Sequence, residues 1–481
     1  MSSITSKLNV KLLSSLAISS LLLFSACGGG AAANGDGTQT AVQGFFNNNS
    51  LNGENNSQND ESVEAGNIEG KFMDSSLEGI IYYTDTTSGY TDDNGKFFYN
   101  KKDTYISFLV GSIIIIEKFD LSKLNADGII FPSDLLGIER GNTTNKNLVN
   151  ILRVLYSIDE DNDASNGIYI SDNIINYLTA NEDVNIEDIT TSDLKKMVED
   201  AGKTFVKPRK VRRHYIQTLI KNNITPELMP FITVWKTDSS DNTITIPVNT
   251  KYDYNYTVDW GDGNISKSIA DSKTHTYDTD GEHTVKISGD FPHFQVKDKE
   301  QLQLVTQWGD IAWRDFNKSF YKCSNVDVNA TDTPDLINVN SVASMFEKAT
   351  KLKGNKYFND WDVSHVTDMS FIFYDARAFN QPLSNWNVSR VTTMQSMFDG
   401  AYAFNQPLNS WNVSSVTNMR DMFWATKAFN QPLNNWDVSS VANMRGMFDE
   451  TKAFNQPLNN WDVSSVTNLY AMFRRTEKFN Q

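Results

Sequence analysis

Cysteine is almost missing from this sequence, with two among 481 residues, Cys27 and Cys323. The folded parts therefore stand on packing and not on a disulfide framework. Positive charge is also short. Lys and Arg number 43 against 59 Asp and Glu, a net charge of −16. That argues against nucleic acid as a partner, because phosphate binding is driven by clustered Lys and Arg. One basic stretch runs against the trend, Lys207, Arg209, Lys210, Arg212 and Arg213, and reads as the solvated face of a helix. Histidine is sparse and scattered. His214, His275, His283, His293 and His365 show no His-Glu-x-x-His or similar zinc spacing. There is no Gly-x-Ser-x-Gly elbow, no phosphate-binding glycine loop and no acid/base pair singled out by spacing. The expectation is a protein that is not an enzyme.

The length suits about three domains, at roughly 100–200 residues each, and an aromatic content of 12% offers large cores. The N-terminus reads as a targeting segment. Lys7 and Lys11 form a charged start, and the apolar run over 12–24 is too short to span a bilayer as a stable helix. It ends in Phe24-Ser25-Ala26-Cys27-Gly28, which resembles the lipobox of bacterial lipoproteins. Small residues before the cysteine let the signal peptidase reach the bond, and Cys27 would supply the lipidated thiol. Several acyl chains, at about 0.8 kcal/mol per buried CH₂, make an anchor far firmer than a single myristoyl group. Gly28 after the cysteine favours the outer membrane where the cell has one. With Cys27 acylated, Cys323 is left as a small buried hydrophobe.

The chain then divides into a flexible tether, a mixed module, a β-module and a repeat region. Residues 28–70 are rich in Gly, Ala, Asn, Ser and Gln and cannot bury enough apolar surface to offset their ordering entropy. Residues 71–229 form a mixed β/α module. Gly79-Ile80-Ile81-Tyr82-Tyr83 and Gly95-Lys96-Phe97-Phe98-Tyr99 are strand-like, with the turn Asp92-Asp93-Asn94-Gly95 between them. Ile106 to Ile116 reads as a strand pair broken by Gly111. Leu148, Ile151, Leu152 and Leu155 fall on one helical face. Asp159, Asp161 and Asp163 offer oxygen ligands at alternate positions, as a calcium loop does, but Ala164 stands at the sixth position and Ile170 where a closing Glu belongs. A calcium site and a solvated acidic turn both fit, and no other cofactor is expected. Residues 230–296 resemble a PKD-like β-sandwich through Val258-Asp259-Trp260-Gly261-Asp262-Gly263, Thr274-His275-Thr276-Tyr277 and Gly281-Glu282-His283-Thr284-Val285. The resemblance implies a tight glycine turn between strands, a His-x-Tyr strand packed back across the sandwich, and a spacer or interaction role. Asp259 and Asp262 read as turn formers.

Internal repeats dominate residues 297–481. Trp361, Trp386, Trp411, Trp436 and Trp461 recur every 25 residues, as do Phe379, Phe404, Phe429, Phe454 and Phe479. Leu408-x-x-Trp411-x-Val413 has the form of a leucine-rich-repeat strand, and Met419, Met422 and Phe423 have the spacing of a helical turn. Stacked units of this kind would form a continuous core holding the Trp column. The repeat closely resembles that of BspA-like, leucine-rich-repeat surface proteins of bacteria. The fold class expected is multidomain and mainly β: an N-terminal β-module with a helical lobe, a PKD-like β-sandwich, and a solenoid of 25-residue units.

The resemblance implies an adhesin held by its lipid anchor at the cell surface, on the outer membrane, binding host or matrix proteins or other bacterial surface proteins. A surface hydrolase with its site in 71–229 and a structural coat protein are the other readings. The middle residue of each Trp-x-Val segment should point outward, placing Asp362, Asn387, Asn412, Asp437 and Asp462 in a polar ladder, roughly 4.8 Å apart in parallel strands. Solubility with turn bonding, or a contact strip flanked by Ser389, Ser414 and Ser439, would each account for them. Phe479-Asn480-Gln481 opens another unit, so the last unit is expected to be exposed and fraying, the chain being truncated or completed by a partner.

Overall fold

The computed structural model describes residues 68–74, 76–164, 166–179 and 184–481. Cys27 and the tether over 28–67 lie outside these residues. The described chain is mainly β, with several open sheets and five α-helices. No helix among the described residues is long and apolar enough to cross a membrane.

The first part holds β1 (Ile68–Phe72), β2 (Leu77–Glu78), β3 (Ile81–Thr84), β4 (Ser88–Tyr90), β5 (Lys96–Tyr99), β6 (Tyr105–Val110), β7 (Ile113–Asp120) and β8 (Ile129–Ile130). Helices α1 (Pro132–Leu135) and α2 (Lys146–Ser157) follow, then β9 (Ile168–Tyr169), α3 (Asp172–Thr179), β10 (Val184–Asn185), α4 (Thr191–Asp200) and α5 (Pro208–Lys221). The sheets run β10-β7-β6-β3-β4, β5-β1-β8 and β2-β9. Gly111 takes φ 57° between β6 and β7, as the broken apolar run implies. Leu148, Ile151, Leu152 and Leu155 all face the core from α2, whose Asn145 side chain accepts from the N–H groups of Asn147 and Leu148. Two expectations change. The strand-like runs around 81 and 97 are not hairpin partners, since β3 pairs with β4 and β6 while β5 pairs with β1. Residues 68–70, assigned to the tether, belong to β1.

The second part holds β11 (Phe231–Thr237), β12 (Thr243–Ile246), β13 (Asn255–Asp259), β14 (Ile265–Ile269), β15 (Lys273–Thr276), β16 (Gly281–Asp290), β17 (Leu302–Gln307) and β18 (Asp327–Val328). One sheet is ordered β14-β13-β16-β11-β17-β18, and β12 pairs with β15. Gly261 turns the chain from β13 to β14 at φ 83°, and a Cβ there would sit 2.4 Å from the Thr284 carbonyl oxygen, so only glycine fits. The Tyr277 hydroxyl donates to the Trp260 carbonyl at 2.8 Å, and His275 stacks on Trp260. The sheet runs past 296, because β17 pairs with β11 and β18 with β17. One apolar core consequently continues from Phe231 to Met472, whereas residues 72–219 keep a core of their own.

From about 340 onward the chain is built of turns joined by single parallel bridges, Ser341–Asp368–Thr393–Asn418–Asn443–Asn468. The segment Trp411–Val413 is not a strand, and Met419, Met422 and Phe423 do not sit on a helix. The reason lies in how the backbone N–H groups are used. Met419, Asp421, Phe423 and Ala425 donate to Asn443, Arg445, Met447 and Asp449 of the following unit at 2.8–2.9 Å. The intervening Met422, Trp424 and Thr426 donate three residues back within their own unit. Asp421 and Ala425 adopt φ 53° and 51°, and the same left-handed pair recurs at Ser396 and Gly400, Gly446 and Glu450, Ala471 and Arg475. A left-handed residue every fourth position prevents a helix while aiming alternate amides at the neighbouring unit.

The apolar period fills the core as the spacing implies. Trp386, Trp411, Trp436 and Trp461 stack at 6.4 Å between centroids, their planes within 1°. The Nε1–H of Trp411 donates to the Leu383 carbonyl of the preceding unit at 2.9 Å, and those of Trp436 and Trp461 donate to Leu408 and Leu433. That bond satisfies the one polar group a buried indole carries. In the last unit Val463, Leu469 and Tyr470 are exposed, and Trp461, Phe473 and Phe479 are only partly buried.

Within the basic stretch Lys207 and Lys210 are exposed, as a solvated face requires, but Arg209, Arg212 and Arg213 are turned to buried or half-buried partners. Arg212 on α5 forms a bidentate pair with Asp310, at 3.0 and 2.7 Å, and Arg209 reaches the same carboxylate at 2.7 Å. The Met229 N–H donates to it as well, at 2.7 Å. Arg213 pairs with Asp335 at 2.6 Å. The Asp310 side chain is 4% exposed. This clasp ties the α5 region to the start of the repeats through ions and hydrogen bonds, where the two apolar cores do not merge.

Candidate binding surface

Each repeat leaves one polar strip outside its buried ring of Leu, Trp, Val, Met and Phe. Asp362, Asn387, Asn412, Asp437 and Asp462 all lie there, exposed, between a buried or half-buried Trp and the Val two residues on. Each closes a small turn with its side-chain oxygen. Asp437 Oδ1 accepts from the Ser439 N–H at 3.1 Å and from its hydroxyl at 2.6 Å. Asn412 does the same with Ser414, and Asp362 with Ser364. Asn387 accepts from the Ser389 N–H at 3.2 Å and Asp462 from the Ser464 N–H at 3.0 Å. The outward direction expected of these residues holds, but an Asx turn sets it and not the pleat of a strand. Those bonds hold the exposed carboxyls of Asp437 and Asp462 below the usual carboxylate value.

A shallow groove of about 470 Å³ opens along this strip, lined by Asn434, Asn435, Asp437, Asn460, Asp462 and the backs of Trp436 and Val438. It brings together two of the five ladder residues. The asparagines were not singled out in the sequence, although they share its period. Asn434 Oδ1 accepts from the Asn460 N–H at 3.0 Å, as Asn409 Oδ1 does from the Asn435 N–H one unit earlier. These bonds lock the acceptor end of each amide to the next unit. The Trp column beneath is 2–3% exposed from Trp361 to Trp436, so it offers no ring face to a ligand.

The candidate calcium loop is arranged differently from a metal cage. Asp159 is buried, and its Oδ1 accepts from the Tyr169 N–H at 3.1 Å. Asp161 accepts from the Asp163 N–H at 2.9 Å and from the Asn166 amide at 2.8 Å. Asp159 and Asp161 line a hollow of about 210 Å³ with Ser76, Glu78 and Asp93, while Asp163 is not among its lining residues. Among the described residues no group of three or more His, Cys, Asp or Glu is placed to hold a metal ion. The loop is a hydrogen-bonded acidic turn, and the convergence that calcium would require is missing from it.

Asp259 and Asp262 act as turn formers. Their Oδ1 atoms accept from the Gly261 and Asn264 N–H groups at 3.0 Å. Against the effect of burial, the bond from His275 at 2.6 Å and those from Asn264 hold Asp262 down at about 2. Burial pushes the Cys323 thiol up to about 11, so it is an inert packing group. Cys27 lies outside the described residues.

Residues 314–428 and 408–481 match a family described as Mycoplasma protein of unknown function, DUF285. The match falls on the repeats. Residues before 314 lie outside it. No curated protein and no solved structure matches the chain.

Proposed function

We propose that this chain is a lipid-anchored cell-surface protein that binds other proteins through its repeats. In this reading Cys27 is the lipidated residue, and the chain sits on the outer membrane where the cell has one. The PKD-like region over 230–296 acts as a spacer, and the 25-residue units form a BspA-like, leucine-rich-repeat-like solenoid. One observation carries the reading. From Phe379 to Phe454 each unit buries its recurring Phe, Leu, Trp, Val and Met side chains against its neighbours, and the same exposed Asp or Asn recurs on one side. A surface that recurs with the fold and contributes little to its core is what extended repeat proteins use for contact. The partners proposed are host or matrix proteins or other bacterial surface proteins, and no chemistry is assigned to the chain.

The test uses the full-length protein with Cys27→Ser, immobilised and exposed to a host extracellular-matrix extract. Capture of discrete proteins, lost in Asp437→Lys/Asp462→Lys at an unchanged melting temperature, is the expected result. Equal capture by that variant would move the site off the ladder, and absence of any capture would end the adhesin reading.

A further inference from the structure

The groove at Asn434–Asp462 has a chemical character that the bare ladder does not specify. Asn434 Oδ1 is engaged, which leaves its NH₂ as a donor, and the side-chain amides of Asn435 and Asn460 make no hydrogen bond among the described residues. Asp437 and Asp462 each spend Oδ1 on their own serine turn, so Oδ2 of each is open to a ligand. An asparagine side chain carries a carbonyl acceptor and an NH₂ donor, the same pair that an extended peptide backbone presents. Asp437 and Asp462 line the same groove, so a cation seated in it would face two carboxylates. No Lys or Arg is among the lining residues, and the whole chain carries a charge of −16. The field over the groove therefore attracts positive charge.

We infer that the groove over Asn434, Asn435, Asn460, Asp437 and Asp462 binds an extended polypeptide segment bearing Lys or Arg. The asparagines read its backbone and the two aspartates its cationic side chains. This deepens the proposed binding role and rests on it. A polyhydroxyl chain would also suit the amides, but it gains nothing from paired carboxylates. The rigid turn bonds fix the carboxylates before any ligand arrives, which lowers the ordering cost of binding.

The full-length Cys27→Ser protein would be titrated with a labelled alternating Lys-Ser peptide, its Glu-Ser counterpart and a labelled dextran. The expected result is binding of the Lys-Ser peptide alone, weakened by added salt. Asp437→Asn/Asp462→Asn should then weaken it about tenfold, while Asp280→Asn/Glu282→Gln, exposed at the start of β16, should leave it unchanged. Equal weakening by both pairs would show diffuse charge attraction and overturn the inference, as would no binding of the Lys-Ser peptide. Dextran binding lost in Asn434→Ala/Asn435→Ala would replace the basic peptide by a polyol. Capture of matrix proteins would still hold in that case, so the failure of the ligand class and the failure of the binding role are told apart.

Discussion

Replacing Trp411 separates a core column from a ligand platform. The indole is 3% exposed, stacks between Trp386 and Trp436, and donates to the Leu383 carbonyl. Trp411→Ala removes the largest side chain of its unit and leaves a cavity, at a cost of about 3–5 kcal/mol. The Leu383 carbonyl keeps its bond from the Trp386 N–H, so the lost hydrogen bond adds only about 0.5–1.5 kcal/mol. Trp411→Phe retains part of the stacked area and should fall between that variant and the parent. The apolar core over 231–472 has the size at which 1 kcal/mol moves the melting temperature by about 2–4 °C. Scanning calorimetry should therefore show a fall of roughly 7–26 °C for Trp411→Ala. Asn435→Ala, exposed and making no side-chain bond, should stay within about 0.5 kcal/mol of the parent. A Trp411→Ala protein that melts with the parent would refute the packed column.

Asp310→Asn should destabilise the chain by about 3–5 kcal/mol, because it leaves Arg212 buried without its anion and Arg209 with Asp335 alone, at 3.8 Å; protease cleavage near 222–229 should rise with it. Burial and then Asp421, with Asp375 adding to it against a bond from Ser396, push Asp399 up to about 8. The fold thus holds a proton that the unfolded chain releases between 3.8 and about 8, and stability falls as pH rises through that window and levels off beyond it. Asp399→Asn should flatten part of the decline in melting temperature between about pH 4 and 8, and an unchanged slope would contradict the assignment. Millimolar Ca²⁺ and a chelator should give the same melting temperature, since Asp159, Asp161 and Asp163 do not converge. Cys27→Ser should release the chain from membranes and abolish fatty-acid labelling; a variant that still pellets in high salt and carbonate would remove the lipid anchor from the account.

The parts of the fold that repeat in sequence were legible, because identical side chains at a fixed period must meet their own copies. The Trp column follows from that alone; the outward Asp or Asn was read from strand alternation, and an Asx turn gives the same direction. The backbone that carries them does not. Val413 and Trp411 alternate about an exposed Asn412 as in a strand, yet turns hold them, and the left-handed residues at Asp421 and Ala425 have no local signature. Local polarity misled at Arg209, Arg212 and Arg213, whose anions Asp310 and Asp335 lie about 100 residues on. The separation of β3 from β5 into two sheets likewise depends on partners distant in sequence. In the candidate surface the ladder was readable, while the groove asparagines needed the register between neighbouring units.

Hydrogen exchange of the full-length protein with and without a captured matrix protein shows whether the repeat strip is the contact surface. Slowed exchange is expected over 386–390, 411–415, 434–440 and 460–465, with the Trp-column cores unchanged. Slowed exchange confined to 255–290 or to 68–221 would contradict it.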